Sequence, residues 1–174
     1  MLRKFIALTL MLIPLSALSN WNTFNEVDDF TDETTKFLTY NDDNHAIQIQ
    51  RNQKTGYVWL YITKKNIDTF EPNSIIEMRV DNNTTRSIDP AFLKRLSAGT
   101  GQVLYHWEPK TIAFSIWHGK EEQGRACGFV SELLAGNELR IRYRISSIEA
   151  STLRVNLEGI NQALIDTLNL KVCH

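Results

Sequence analysis

The chain has 174 residues, 43% of them hydrophobic and 22% charged, with a formal net charge of −1. That composition fits one folded domain with its own core and excludes an intrinsically disordered chain. The slightly acidic balance excludes a general binder of nucleic acid or of membrane surfaces.

The N-terminal stretch reads apart from the rest. Arg3 and Lys4 form a positive start, residues 5–15 are apolar but short for a bilayer span, and Ala17 and Ser19 sit at the small-residue positions of a cleavage site. The expectation is a secretory signal peptide over 1–19 and a single β-rich domain over 20–174. Without Arg3 and Lys4, 17 of the 19 basic residues remain against 20 acids, a net charge of −3. No cysteine lies near the cleavage site, which argues against lipoprotein processing, and no later segment reads as a membrane span.

In chain order, residues 21–27 read as a strand and Asp28, Asp29, Asp32 and Glu33 as an acidic turn. Residues 34–40 and 45–51 are β-type runs around Asn41, Asp42, Asp43 and Asn44, a hairpin signal. Residues 52–56 form a second turn. Residues 57–63 alternate Tyr57, Trp59 and Tyr61 with Val58, Leu60 and Ile62, the pattern of a central strand covered on both faces. A strand over 74–81 puts Ile76, Met78 and Val80 on one face and Glu77 and Arg79 on the other.

Residues 82–85 read as a polar loop. Asp89 and Pro90 then predict a helix start, with Asp as the cap and Pro in the first turn, and residues 99–101 end it. Residues 103–107 and 111–117 read as strands. Residues 121–134 read as weakly helical, with Cys127, Val130, Leu133 and Leu134 on one side. The last section reads as strand, turn, strand, helix. Leu139, Ile141, Tyr143 and Ile145 alternate with Arg140, Arg142 and Arg144, and Leu153, Val155 and Leu157 alternate with Thr152, Arg154, Asn156 and Glu158. After Gly159, Ile160, Ala163, Leu164, Thr167 and Leu168 follow at helical spacing. Many short strands with turn signals between them predict a mainly β fold, an antiparallel sandwich or open barrel with two or three short helices, one of them C-terminal.

Two cysteines in an exported chain predict one disulfide, Cys127 to Cys173. In the chain-entropy account such a long loop is worth roughly 4 kcal/mol. Their spacing is no Cys-x-x-Cys redox motif.

The main candidate surface is the row Arg140, Arg142 and Arg144, with Arg154 on the neighbouring strand and Arg79 further along. Like charges opposite one another are unfavourable in a sheet, so acids must balance them. One reading is a binding face for an acidic partner. The other, favoured by how often sheet faces are polar, is a solvated face neutralised by Glu158, Glu138 or Glu77. The acidic turn at 28–33 lacks the calcium-loop pattern and reads as solvated. His45, His106, His118 and His174 show no metal-ligand spacing and read as surface or boundary residues. No nucleophile elbow or phosphate loop occurs, so no catalytic residue, metal or cofactor is assigned. Trp59, Trp107 and Trp117 are the aromatics open to a carbohydrate-binding role, against a plainer one in the core. Asn82 and Asn83 match glycosylation acceptors by chance.

The acidic stretch at 27–35, the strand at 47–51, residues 77–81 (EMRVD), residues 139–144 (LRIRYR) and residues 153–164 (LRVNLEGINQAL) before a terminal cysteine together resemble a known group. They are similar to the periplasmic type VI secretion-associated proteins of the VasI/TagO kind and related small exported proteins of bacteria and phage. The resemblance implies a non-enzymatic protein in the periplasm of a Gram-negative bacterium, with Arg51, Arg79 and Arg142 at the group's recurring arginines. Members often carry cysteine after the first of these, where this chain has Asn52, which leaves Cys127 as the partner for Cys173. Three functions follow as expectations. The first is an accessory module that binds an envelope or secretion-system protein. The second is an inhibitor or immunity protein against a cell-wall enzyme, and the third is a glycan- or peptidoglycan-binding domain.

Overall fold

The structure is a computed structural model that describes residues 20–27, 29–32, 34–52, 54–117, 125–126, 128–169 and 171–172. Residues 1–19, Cys127 and Cys173 lie outside that set, and with them the signal-peptide and disulfide expectations. So do Asp28, Glu33, His118 and His174.

Ten strands form two antiparallel sheets that are not closed into a barrel. The larger is built from β1 (Trp21–Val27), β2 (Thr34–Asn41), β3 (His45–Arg51), β4 (Val58–Lys64), β7 (Tyr105–Glu108) and β8 (Thr111–Trp117), in the order β1-β2-β3-β4-β8-β7. The smaller is built from β5 (Ile76–Val80), β6 (Arg86–Ile88), β10 (Glu138–Arg144) and β11 (Ala150–Asn156), in the order β11-β10-β5-β6. Period-two alternation decides which side of each strand enters the core. Leu38, Ile47, Ile49, Leu60, Ile62, Ile112 and Phe114 of the large sheet are fully buried or nearly so, as are Ile76, Met78, Val80, Leu139, Ile141 and Val155 of the small one.

Polar side chains also join the sheets. The His45 imidazole and the Tyr143 hydroxyl are hydrogen-bonded at 2.7 Å, and the Trp21 indole donates to the Asn156 carbonyl at 2.8 Å. Lys64 is almost fully buried, yet its ammonium lies over the rings of Phe70 and Tyr143 and donates to the Thr69 carbonyl.

Among the described residues three helices complete the fold: α1 (Pro90–Thr100), α2 (Phe129–Ala135) and α3 (Ile160–Leu168). The start of α1 is the predicted one. The Asp89 carboxylate accepts the backbone N–H of Ala91 and Phe92, Pro90 opens the first turn, and Gly101 closes the helix with a left-handed φ of 69°. The α3 helix packs against β1, β2, β3 and α2. Arg51 donates to the carbonyls of Leu168 and Asn169, which satisfies the open C-terminal end of α3.

Four details differ from the sequence reading. The polar loop after β5 continues into the short strand β6. The helical region predicted over 121–134 is in part the two-residue strand β9 (Arg125–Ala126), with α2 beginning at Phe129. A further two-residue strand, β12 (Lys171–Val172), pairs in parallel with β9. Such short strands are defined by their partners, so they leave no periodicity to read. Finally, β4 is central, but its Trp59 and Tyr61 side is half-buried rather than sealed. Gly136 is held by close approach: a methyl there would run into the Val80 side chain and the Glu132 carbonyl.

Candidate functional site

The outer face of the small sheet is set by the same alternation that builds the core. Leu139, Ile141 and Tyr143 point inward, so Arg140, Arg142 and Arg144 must point out. Register then brings the predicted arginines together. Arg140 lies opposite Arg154 on β11 and opposite Arg79 on β5, giving an unbroken cross-strand row of three guanidinium side chains. The next row reads Thr152, Arg142, Glu77 and Ser87.

Directly opposed side chains in a sheet have Cβ atoms roughly 5 Å apart, so the row must be compensated. Glu138 provides most of this. Its Oε1 lies 2.5 Å from Arg140 Nε, as an ion pair without hydrogen-bond alignment, and 3.1 Å from Arg154 Nη1. Glu77 forms an ion pair with Arg142 and accepts its Nε–H at 2.6 Å. Arg140 also donates to the Asp81 backbone carbonyl. The Asp81 carboxylate accepts the backbone N–H groups of Asn137 and Glu138, which hold it below the usual carboxylate range. That carboxylate fixes the entry to β10 and so positions the whole arginine strand.

The acids do not exhaust the arginines. Arg79 has no hydrogen-bond or ion-pair partner among the described residues. Arg144 donates only to the Ser147 carbonyl within its own turn. Five guanidiniums therefore face Glu77 and Glu138, with Asp81 at the end of β5. Of the acids expected to neutralise the face, Glu77 and Glu138 do so. Two shallow grooves run over this surface. One of about 500 Å³ is bordered by Ser74, Ile75, Glu77, Arg142 and Arg144. The other, of about 240 Å³, is bordered by Arg79, Thr85, Arg140, Arg142 and Thr152. An unspent guanidinium at a groove offers a planar, permanently charged donor fork to a carboxylate or phosphate.

The remaining candidates separate. Arg51, one of the group's recurring arginines, sits at the end of α3 with its guanidinium over the Trp117 ring, away from the other two. Trp21 and Trp117 are buried, and Trp107 belongs to the inward side of β7 opposite Ile112. Only Trp59 of the tryptophans stands on an outer sheet face. His106 is exposed beside Glu108 at 3.1 Å. Among the described residues no group of three His, Cys, Asp or Glu side chains is placed to hold a metal ion, and no helix is long and apolar enough to cross a membrane.

One cluster was invisible to sequence reading. His45 is a boundary residue, as its sequence context predicts, but its neighbours Asp42, Tyr143 and Lys64 are set by the fold. Burial lowers its pKa despite the Asp42 carboxylate, and the same cause lowers that of Lys64 and raises that of Tyr143. Its members come from the turn before β3 and from β3, β4 and β10, and no sequence spacing marks the cluster.

No protein family, curated protein or solved structure matches the chain.

Proposed function

We propose that the chain is an exported, non-enzymatic binding module of the bacterial envelope that docks an acidic segment of a partner protein on its arginine face. The observation that carries this reading is the row Arg154, Arg140 and Arg79 with only Glu138 set between two of its members. A merely solvated face would gain by placing acids opposite these arginines. Here Arg79 and Arg144 keep their charge unpaired at the borders of two grooves. On the resemblance of its strand motifs, the partner would belong to the periplasmic part of a type VI secretion machine.

Export has separate support. Strands β9 and β12 run in parallel, with Lys171 opposite Arg125 and Val172 opposite Ala126. The residues just before the two cysteines are thus already side by side. In an oxidising compartment the thiols of the purified protein should resist alkylation until reduced. Ready labelling without reductant would remove that support.

The test of docking is affinity capture from envelope extract at two salt concentrations, with mass spectrometry of the retained protein. The wild-type chain should retain one partner that is lost at high salt. The double variant Arg140→Glu, Arg142→Glu should retain none. Equal capture by the variant would rule out this face as the docking surface.

A further inference from the structure

The large sheet has an outer face of the opposite chemistry. Its register sets two neighbouring rows across the strands. One runs Phe24, Phe37, Gln50, Trp59 and Ser115, and the other runs Asn22, Thr39, Gln48, Tyr61, Ala113 and His106; Ser115 and Ala113 of β8 are buried, so the open part of both rows lies on β1 to β4. Apart from His106, no member of either row is ionisable below the range of a tyrosine. Phe24 is about half exposed and stacks on Phe37 with ring centroids 5.9 Å apart, and the Trp59 and Tyr61 rings lie 6.0 Å apart. Strands stand about 4.8 Å apart. Phe24, Phe37 and Trp59 therefore mark out an aromatic line of about 14 Å across β1 to β4.

Hydrogen bonds order the amides beside that line. Gln48 Nε2 donates to Gln50 Oε1 at 2.9 Å, and Gln50 Nε2 donates to the Tyr61 hydroxyl at 2.9 Å. Among the described residues, nothing occupies the Gln48 Oε1 acceptor or receives the Tyr61 hydroxyl proton. Burial raises the Tyr61 pKa, so the proton stays in place at neutral pH. The chain thus carries an open acceptor at one end and an open donor at the other, both pre-positioned at the edge of an aromatic surface.

We infer that this face binds a neutral glycan strand. Aromatic rings cover the apolar faces of sugar rings, while fixed amides and a hydroxyl exchange hydrogen bonds with sugar hydroxyls. Charge stands only at the margins of this face, at Glu26 and His106, so a charged polymer would find no row of counter-ions along it, and an apolar protein partner would strand the open donor and acceptor. The inference does not depend on the arginine face, which lies on the other sheet.

Calorimetric titration of the purified protein with chitohexaose and with cellohexaose tests it. At least one of these neutral oligosaccharides should bind the wild-type chain. Trp59→Ala should weaken binding by about 10-fold or more, the size of effect expected for one aromatic anchor. Tyr61→Phe keeps the ring and removes the hydroxyl, both the open donor and the acceptor that holds the Gln50 amide, so it should weaken binding less than loss of the Trp59 ring while leaving the fold intact. The Arg140→Glu, Arg142→Glu variant should bind as wild type does. If neither oligosaccharide binds at millimolar concentration, or if Trp59→Ala and Tyr61→Phe both bind with wild-type affinity, the inference is overturned.

Discussion

The two outer faces share one core but solve the problem of a wet sheet surface differently. On the small sheet, β10 alternates buried Leu139, Ile141 and Tyr143 with arginines, and the cost of juxtaposed charge is met by Glu138 and Glu77. On the large sheet, β3 alternates buried Ile47 and Ile49 with Gln48 and Gln50, whose amides bond to each other and to Tyr61. Salt and charge reversal should therefore act on binding at the first face and not at the second. Their common feature is that each inward neighbour is fully buried, so either face can change without moving the core.

The largest effect should come from crossing that boundary. Leu60 and Trp59 are adjacent in β4 and point to opposite sides; Leu60 is fully buried and Trp59 only half so. Leu60→Ala removes core volume and should cost about 2–5 kcal/mol in a denaturant melt. Trp59→Ala should cost about 1 kcal/mol or less, because it empties no cavity. Equal losses would mean that Trp59 belongs to the core, and the contrast between the faces would weaken with it.

A smaller effect separates the faces from the joint between the sheets. His45 is held against Tyr143 with Asp42, Lys64 and Lys65 around it, and burial lowers its pKa below the ordinary value. As pH falls below about 6.5, the unfolded imidazole takes up a proton before the folded one does. Stability contributed by neutral His45 is therefore full above the ordinary pKa and is lost as pH falls toward the depressed one. His45→Phe should lose that part of the acid slope and melt with a flatter pH dependence across the imidazole range. Binding at either outer face should keep its own pH profile, since neither uses His45.

What could be read from the chain follows the range of each interaction. The helix start at Asp89 and Pro90 was legible because a cap is written within four residues. The inward and outward faces of β5, β10 and β11 were legible because alternation is local. The arginine row was half legible. Spacing put Arg140, Arg142 and Arg144 on one side and offered Arg79 and Glu77 as candidates, but their places in the row, opposite Arg140 and Arg142, depend on the register of β10 with β5, some sixty residues away. The His45–Tyr143 bond joins residues 98 apart, and only a folded sandwich brings them together. The Gln48, Gln50 and Tyr61 chain left no mark in the sequence, which placed Tyr61 on a covered strand face, because its chemistry lies in side-chain direction rather than residue type.

The smallest expected effect is the most discriminating for the charged face. Among the described residues Glu138 is the one carboxylate paired with both Arg140 and Arg154, and it is partly exposed. Glu138→Gln keeps the shape and removes the charge. Solvent screening limits the loss of stability to under about 1 kcal/mol, and added salt should shrink it further. The same substitution leaves three opposed guanidiniums with no acid between them, so affinity for an acidic partner should rise while stability falls. A site built for an anion predicts those opposite signs, seen as a lower melting temperature at low salt together with tighter capture. A face whose arginines serve only the sheet would lose stability and gain no affinity. Because Glu138 does not touch the Gln48 to Tyr61 chain, oligosaccharide affinity at the neutral face should stay fixed in either case.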